Sequence, residues 1–300
     1  MNIKRIISIF MLLIIIILLG GCNFKNKSEY NYSESYATIY FFDVGQADSS
    51  LILFPDGKTM LIDAGNKADG EKISDFISDL GISNIDYFVC THPHDDHIGG
   101  APDIFGNFIV NSVYMPSISE EYLPKTKIYE DLIKSINDEN CSVNFPTSSS
   151  IIIENIDYNV KVISPNSNSI FSDMNDYSLV LLVNCFTNTI IFTGDAEASA
   201  ENDILNSNIN IDADILKVGH HGSDSSSTEK FLKQVTPMVS IISCGNNNTY
   251  GHPNNSTLMR LNNIGSNIYR TDIVGTVIAK CYDKGFNIET STDISLDGDR

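Results

Sequence analysis

All six histidines of this chain lie in three short stretches, and each stretch follows an apolar run. "YFVC" leads into "THPHDDH", with His92, His94 and His97, and "DILKVG" leads into "HHGS", with His220 and His221. "SIISCG" runs on through "NNNTYG" to His252, and "IIFTG" runs into "DAE" with Asp195. Short apolar runs bounded by Gly, Asp and Pro read as strands. Side chains at neighbouring strand ends can converge on one edge of a sheet, held by a rigid scaffold. A solvated turn holds aspartates freely but has no reason to collect imidazoles. The pattern therefore demands strands that end together, with a metal site where they end.

The rest of the chain supplies such strands. They are expected at 37–45, 49–54, 59–65, 85–90, 108–114, 157–164, 177–184, 188–193, 213–218, 238–243 and 273–281. A helix is expected over 69–81, where Ile73, Phe76, Ile77 and Leu80 recur at helical spacing and Gly81 stops them. Further helices are expected at 119–138, 196–206, 227–234 and 255–263. Hairpin-like clusters of strands with helices between them predict an α/β fold: two sheets packed on each other and covered by helices outside. Three hundred residues, 42% of them hydrophobic, suffice for the core such a fold needs.

The first 22 residues read separately. Lys4 and Arg5 precede an apolar run from Ile6 to Leu19, interrupted only by Ser8, and "LGGC" follows. At about 1.5 Å per residue that run reaches roughly 21 Å, short of a hydrocarbon core of roughly 30 Å. It reads as a signal peptide, residues 1–21, with a membrane-spanning anchor as the alternative. Leu19-Gly20-Gly21-Cys22 resembles a bacterial lipobox, which implies cleavage before Cys22 and a lipid on its thiol. The expected product is an extracytoplasmic, membrane-anchored lipoprotein. Residues 22–36 are polar and serve as a lipid-anchored tether, 37–289 form the domain, and 290–300 are an acidic, frayed tail. The other five cysteines include no CxxC pair; Cys90, Cys185, Cys244 and Cys281 sit in or beside apolar runs and are expected in the core.

The formal charge of −19 disfavours a broad polyanion-binding surface, because nucleic-acid affinity comes largely from Lys and Arg. It leaves room for a local site where bound metals supply the positive charge. Neutral imidazole suits zinc, iron, nickel or manganese, and carboxylates can bridge two ions. His92 and His94, two apart in an extended loop, can point the same way.

The sequence "HPHDDH" at 92–97, followed by Asp195 in "FTGDAE" and a histidine in "VGHHGS", resembles the metallo-β-lactamase hydrolase superfamily. The resemblance implies an αββα sandwich of two mixed sheets flanked by helices, with a mono- or dinuclear site at one edge. More narrowly, "FFDVGQADSSLI", "LIDAG", "THPHDDHIGG", "SLVLLV", "FTGDAE", "DILKVGHHGS" and "YGHP" occur in the order found in the hydrolase-like C-terminal domain of ComEC-type competence proteins. That similarity covers about residues 37–282. One N-terminal apolar segment stands where those proteins carry a multi-pass DNA channel.

Carried over, the resemblance makes His92 and His94 ligands of one zinc or manganese ion, and Asp96 and His97 ligands of the other. Asp195 bridges both, and His221 completes the second site, with His220 as its rival. Asp63 supports the ligand loop from behind; a strand-end turn is the alternative. Residues 98–194 contain no histidine, where most of the superfamily has one more ligand. Asn175, Asp176 or Ser178 is expected in its place. His252 either binds an anionic substrate or donates a proton to the leaving group, the alternative being a turn histidine before Pro253. Gly222 and Ser223 can offer donors to an anion or simply open the next helix, and Asp43 and Gln46 are polar candidates for the rim.

The leading expectation is metal-dependent hydrolysis of a phosphodiester, with Asp195 and Asp96 orienting the attacking oxygen. The resemblance points to DNA as substrate and to a DNA-uptake channel protein as partner. An esterase for small envelope phosphoesters is the enzymatic alternative. A noncatalytic accessory lipoprotein of a DNA-uptake complex is the alternative of another kind.

Overall fold

The computed structural model describes residues 35–139, 141–294 and 296. The expected signal peptide, Cys22 and most of the tether lie outside the described residues. The chain opens with β1 (Ala37–Phe41), β2 (Ser50–Leu53), β3 (Thr59–Ile62), α1 (Gly70–Asp79) and β4 (Asn84–Val89). There follow α2 (Asp95–Ile98), α3 (Ala101–Asn107), β5 (Ile109–Tyr114), α4 (Lys127–Asp138) and β6 (Ser142–Asn144). Next come β7 (Ile151–Glu154), β8 (Tyr158–Ser164), β9 (Val180–Cys185), β10 (Asn188–Phe192), α5 (Ala198–Asn206) and β11 (Ile215–Lys217). The chain continues with α6 (Glu229–Val235), β12 (Val239–Ile242), α7 (Asn255–Asn263), β13 (Asn267–Arg270), α8 (Thr271–Val274), β14 (Thr276–Tyr282) and β15 (Gly285–Ser291).

Among the described residues the strands form two mixed sheets, ordered β15-β14-β1-β2-β3-β4-β5-β6 and β13-β12-β11-β10-β9-β8-β7. Each is antiparallel at one side and parallel at the other, from β3 to β6 in the first and from β10 to β13 in the second. Alternation along the strands assigns their side chains to layers. Ile39, Phe41, Ile52, Met60 and Ile62 of the first sheet meet Val160, Leu181, Val183, Ile190 and Phe192 of the second in the central layer. Phe41 and Phe192 stack there with ring centroids 5.5 Å apart. The outer faces are apolar too. Leu51, Leu61 and Phe88 pack under Ile73 and Ile77 of α1, Ile104 of α3 and Leu132 of α4. Leu182, Ile191 and Leu216 pack under Ile204 of α5, Phe231 and Leu232 of α6 and Leu261 of α7. Strands covered on both faces must be apolar throughout, which explains runs such as "MLI" and "TIIF". This is the expected αββα sandwich, with Cys90, Cys185, Cys244 and Cys281 buried and unpaired.

Several boundaries differ for physical reasons. The expected helix 119–138 contains Pro124, which cannot sit in a helix interior. Only a 3-10 turn forms at Glu120–Tyr122, and α4 starts after Thr126, whose side chain accepts the Tyr129 N–H. The expected strand 177–184 begins at Val180, because residues 175–177 turn so that the Asp176 carboxylate can accept the N–H groups of Glu197 and Ala200. The start of the expected strand 273–281 is taken by α8, and Gly275 (φ 75°) reverses the chain before β14. The end of the chain also differs from a frayed tail beginning at 290. Strand β15 runs to Ser291, and the buried Leu296 donates its N–H to the Asp43 carbonyl at 2.8 Å. No helix among the described residues is long and apolar enough to cross a membrane.

Candidate metal centre

Parallel neighbours end at the same edge of a sheet, and this geometry builds the site. Strands β3 and β4 release Asp63 and the 91–97 loop side by side; β10, β11 and β12 release Asp195, the 219–222 turn and Ser243. Strand β1 points the same way as β3, because β2 is antiparallel to both, so the 42–49 loop reaches that edge too. Backbone bonds lock these loops together: Asp48 N–H donates to Asp96 O at 3.1 Å, and Ala64 N–H to His97 O at 2.7 Å.

His92 Nε2 and His94 Nδ1 face each other at 2.9 Å. His221 Nε2 lies 3.2 Å from Asp96 Oδ2 and 3.7 Å from Asp195 Oδ2. His97 Nε2 lies 3.3 Å from Asp195 Oδ1, and His92 Nε2 lies 3.9 Å from Asp195 Oδ2. The structure thus gathers His92, His94, Asp96, His97, Asp195 and His221 around one point. His220 joins them with Nε2 3.8 Å from Asp195 Oδ2.

Partners behind the rings set which nitrogen faces inward. His97 Nδ1 pairs with Asp63 Oδ2 at 2.8 Å, and Thr91 gives Asp63 both its N–H and its hydroxyl. His221 Nδ1 pairs with the Ser243 carbonyl at 3.0 Å. Such partners fix the ring and leave Nε2 free for a cation. Asp63 therefore sits behind His97 with no line to the centre, in a left-handed conformation (φ 58°).

The electrostatics ask for positive charge. Burial disfavours charge at Asp195, but the His97 and His221 imidazoles outweigh it and hold the carboxyl well below the usual range. Burial, and then His97, push the His92 ring well below the imidazole range, which leaves it neutral and able to ligate. His97 Nε2 and Asp195 Oδ1 are both buried without a hydrogen-bond partner, although they face each other. Buried polar atoms without partners are rare, and a cation between them satisfies both. Burial disfavours charge on the His97 and His221 rings, but the nearby carboxylates outweigh it and push both above the imidazole range, so a cation bound there would take the place of their protons. The donor set, imidazoles with carboxylates, fits one or two divalent ions of the zinc or manganese kind.

Three participants were not foreseen. Asp48, His97, Asp195 and His221 each offer an atom within 4.8 Å of the others, all four side chains being buried. Asp48 lies in "DVGQADS", read only as a rim. Its partner Lys217 is buried in β11 with Nζ 2.7 Å from Asp48 Oδ1. A lysine inside the apolar run "DILKVG" was the available signal, since buried lysines require partners. Glu197, two residues beyond Asp195, pairs with His220 Nδ1 at 2.9 Å.

The other candidates fall as follows. Ser178 Oγ accepts the Asp195 N–H at 3.0 Å and lies 3.3 Å from His92 Nδ1, on the far side of that ring from His94. The Asp176 carboxylate is turned toward α5. Asn175, Gln46, Tyr250 and His252 line an open cleft of about 520 Å³, whose lining also includes Asp96, Asp195 and His220. His252 stands against His220, ring centroids 5.3 Å apart. Gln46 Oε1 accepts the Gly245 N–H, which pins the rim. The buried Ser223 donates its N–H to the His220 carbonyl, and at Gly222 (φ 83°) an added β-carbon would lie 2.6 Å from Pro253 Cβ; both serve the turn. The Asp43 N–H donates to Thr276, and its carbonyl holds Leu296, away from the cleft.

A family model described as "Metallo-beta-lactamase superfamily" matches residues 42–246. The chain is 32% identical over 262 residues to "ComE operon protein 3" of Bacillus subtilis (strain 168), covering 81% of this chain and 33% of that protein. It is 30% identical over 240 residues to "Recombination protein 2" of Haemophilus influenzae, covering 78% of this chain and 28% of that protein. The chain thus spans about a third of the length of these relatives. Among solved structures it resembles Igni18, a novel metallo hydrolase from the archaeon Ignicoccus hospitalis. The TM-score is 0.52 at 15% identity, over 80% of this chain and 98% of that one. At that identity the likeness concerns the fold alone.

Proposed function

The chain belongs to the metallo-beta-lactamase superfamily, and from that premise we propose that it is a metal-dependent phosphodiesterase acting on DNA at the extracytoplasmic face of a membrane, tethered through a lipid on Cys22. The observation that carries the hydrolytic part is the buried pair of His97 Nε2 and Asp195 Oδ1, 3.3 Å apart and each without a hydrogen-bond partner, beside an open cleft that Asp195 lines. His92, His94, Asp96, His97, Asp195 and His221 would hold the ions, and Asp63 would fix the His97 ring. Divalent ions held there supply Lewis acidity toward water and a phosphoryl oxygen. Asp96 and Asp195 would orient the attacking oxygen. His252 and Tyr250, at the cleft wall, are positioned to meet the phosphate or the leaving group. DNA as the substrate, and a channel protein as the partner, rest on the competence-protein relatives.

A second reading is favoured by charge. Among the described residues, those lining the cleft include no Lys or Arg, and the whole chain carries −19. A small envelope phosphoester needs no basic track, whereas a long polyanion binds best to one. The deciding experiment loads the full chain with Mn²⁺ or Zn²⁺ and incubates it with end-labelled single- and double-stranded DNA. Asp195→Asn and a chelator serve as controls. The proposal expects metal-dependent cleavage that Asp195→Asn abolishes. DNA left intact by chain shown to hold metal would sink the nuclease reading and favour the small-phosphoester one.

A further inference from the structure

The chain carries no histidine between 98 and 194, so the ion held by His92 and His94 lacks the imidazole that the superfamily pattern provides. Resting on the metal-hydrolase reading above, we infer that His220 supplies it. The three residues expected to fill the gap do not present a comparable donor. The Asp176 carboxylate is engaged by two backbone N–H groups of the α5 start. Ser178 Oγ lies on the Nδ1 side of His92, whereas the His92 nitrogen toward Asp195 is Nε2. Asn175 Oδ1 is buried without a hydrogen-bond partner at the cleft, but a neutral amide oxygen is a weaker ligand than an imidazole, and the Asn175 amide nitrogen is directed at Glu197, 3.5 Å away.

His220 has the form of a ligand. Its Nδ1 is held by Glu197 Oε1 at 2.9 Å, and that carboxylate is itself fixed by the Ser225 hydroxyl at 2.7 Å. A carboxylate behind an imidazole fixes the tautomer and ring direction that metal ligation requires. The free Nε2 lies 3.8 Å from Asp195 Oδ2, and His92 Nε2 lies 3.9 Å from the same oxygen. Ligands bonded at about 2.0–2.2 Å to one ion stand roughly 3–3.5 Å apart, so a small inward movement closes this set.

The backbone supports the same assignment. His220 (φ 49°, ψ 48°) and His221 (φ 51°, ψ 23°) are both left-handed. That conformation is costly for any residue with a β-carbon. The double twist brings two consecutive rings to one carboxylate, with Nε2 atoms 3.8 and 3.7 Å from Asp195 Oδ2. Consecutive side chains in an extended segment would point apart. His220 and His221 are then not rivals: one completes each site.

The test reads metal binding rather than turnover. The full chain, labelled with ¹⁵N-histidine, is loaded with ¹¹³Cd²⁺, and nitrogen–cadmium couplings are assigned to individual rings. His220 Nε2 should be coupled along with His92 and His94, while His252 is not. Mn²⁺ titrations of His220→Ala should show one site weakened at least tenfold, and Glu197→Gln should weaken that site about 10- to 100-fold. A His220 ring left uncoupled while His92 and His94 are coupled overturns the assignment, as does a folded His220→Ala that binds its ions like the parent chain. Neither result touches the hydrolase reading. A chain that binds no divalent ion at all overturns both.

Discussion

Lys217 Nζ lies 2.7 Å from Asp48 Oδ1, and the pair is buried where the two sheets end together. Asp48 comes from the β1–β2 loop of one sheet and Lys217 from the last position of β11 in the other. Removing one partner of such a pair leaves an uncompensated buried charge. Lys217→Met should therefore destabilise the chain by about 3–5 kcal/mol, measured by urea unfolding in chelator so that no cation relieves Asp48. Adding Asp48→Asn should recover most of that loss. Strictly additive losses would mean that the two charges do not depend on each other.

Asp63 is a different kind of support. It touches His97 Nδ1 and Thr91 and contributes no atom to the centre. Asp63→Asn keeps a side chain that tolerates the left-handed backbone at φ 58° but loses one acceptor and the charge. Divalent-ion affinity should fall about 10- to 100-fold with the fold intact, read by calorimetric titration. Unchanged affinity would reduce Asp63 to a strand-end turn residue.

How far the sequence reached follows from which interactions are local. The strand–motif junctions at 90–92, 193–195 and 218–221 were legible because an apolar run and a polar cluster adjoin in the chain. The Asp48–Lys217 pair was not legible, because its partners are far apart in sequence and meet only when both sheets are assembled. Nor was the second role at "HH", since period-2 reasoning lets only one of two adjacent histidines face inward. The left-handed pair at 220 and 221 breaks that period. Within the expected helix 119–138, Pro124 confines the helix to the residues after Thr126.

Stripping the metal should weaken the fold itself. Asp48, Asp63, Asp96 and Asp195 crowd one sheet edge, with the buried Lys217 as their fixed cation. A divalent ion that binds only the folded chain at a hundred times its Kd adds about 2.7 kcal/mol. Mn²⁺ should accordingly raise the unfolding midpoint in a concentration-dependent way, and chelator should reverse it. Asp195→Asn should lose most of the rise. A midpoint indifferent to Mn²⁺ in the parent chain would argue against any ion at this edge.

Glu201 offers a pH test away from the metal ligands. Its buried carboxylate accepts the N–H groups of Ser227 and Thr228, tying α5 to the start of α6. Burial pushes its carboxyl up to about 7, against the pull of those N–H groups and of Arg260. The folded chain therefore holds this proton more tightly than the unfolded chain, whose carboxyl titrates near 4.5. The resulting stability is fully present below about pH 4.5 and is lost as pH rises through about 7, a change of roughly 3 kcal/mol. Glu201→Gln cannot ionise, and its one mismatched N–H contact costs the same at every pH. The parent chain's stability relative to Glu201→Gln should thus decline between about pH 5 and 7 and level off above, measured by urea unfolding in chelator. A difference that stays flat across that range would mean Glu201 is already ionised at pH 5, its charge carried by the two backbone donors.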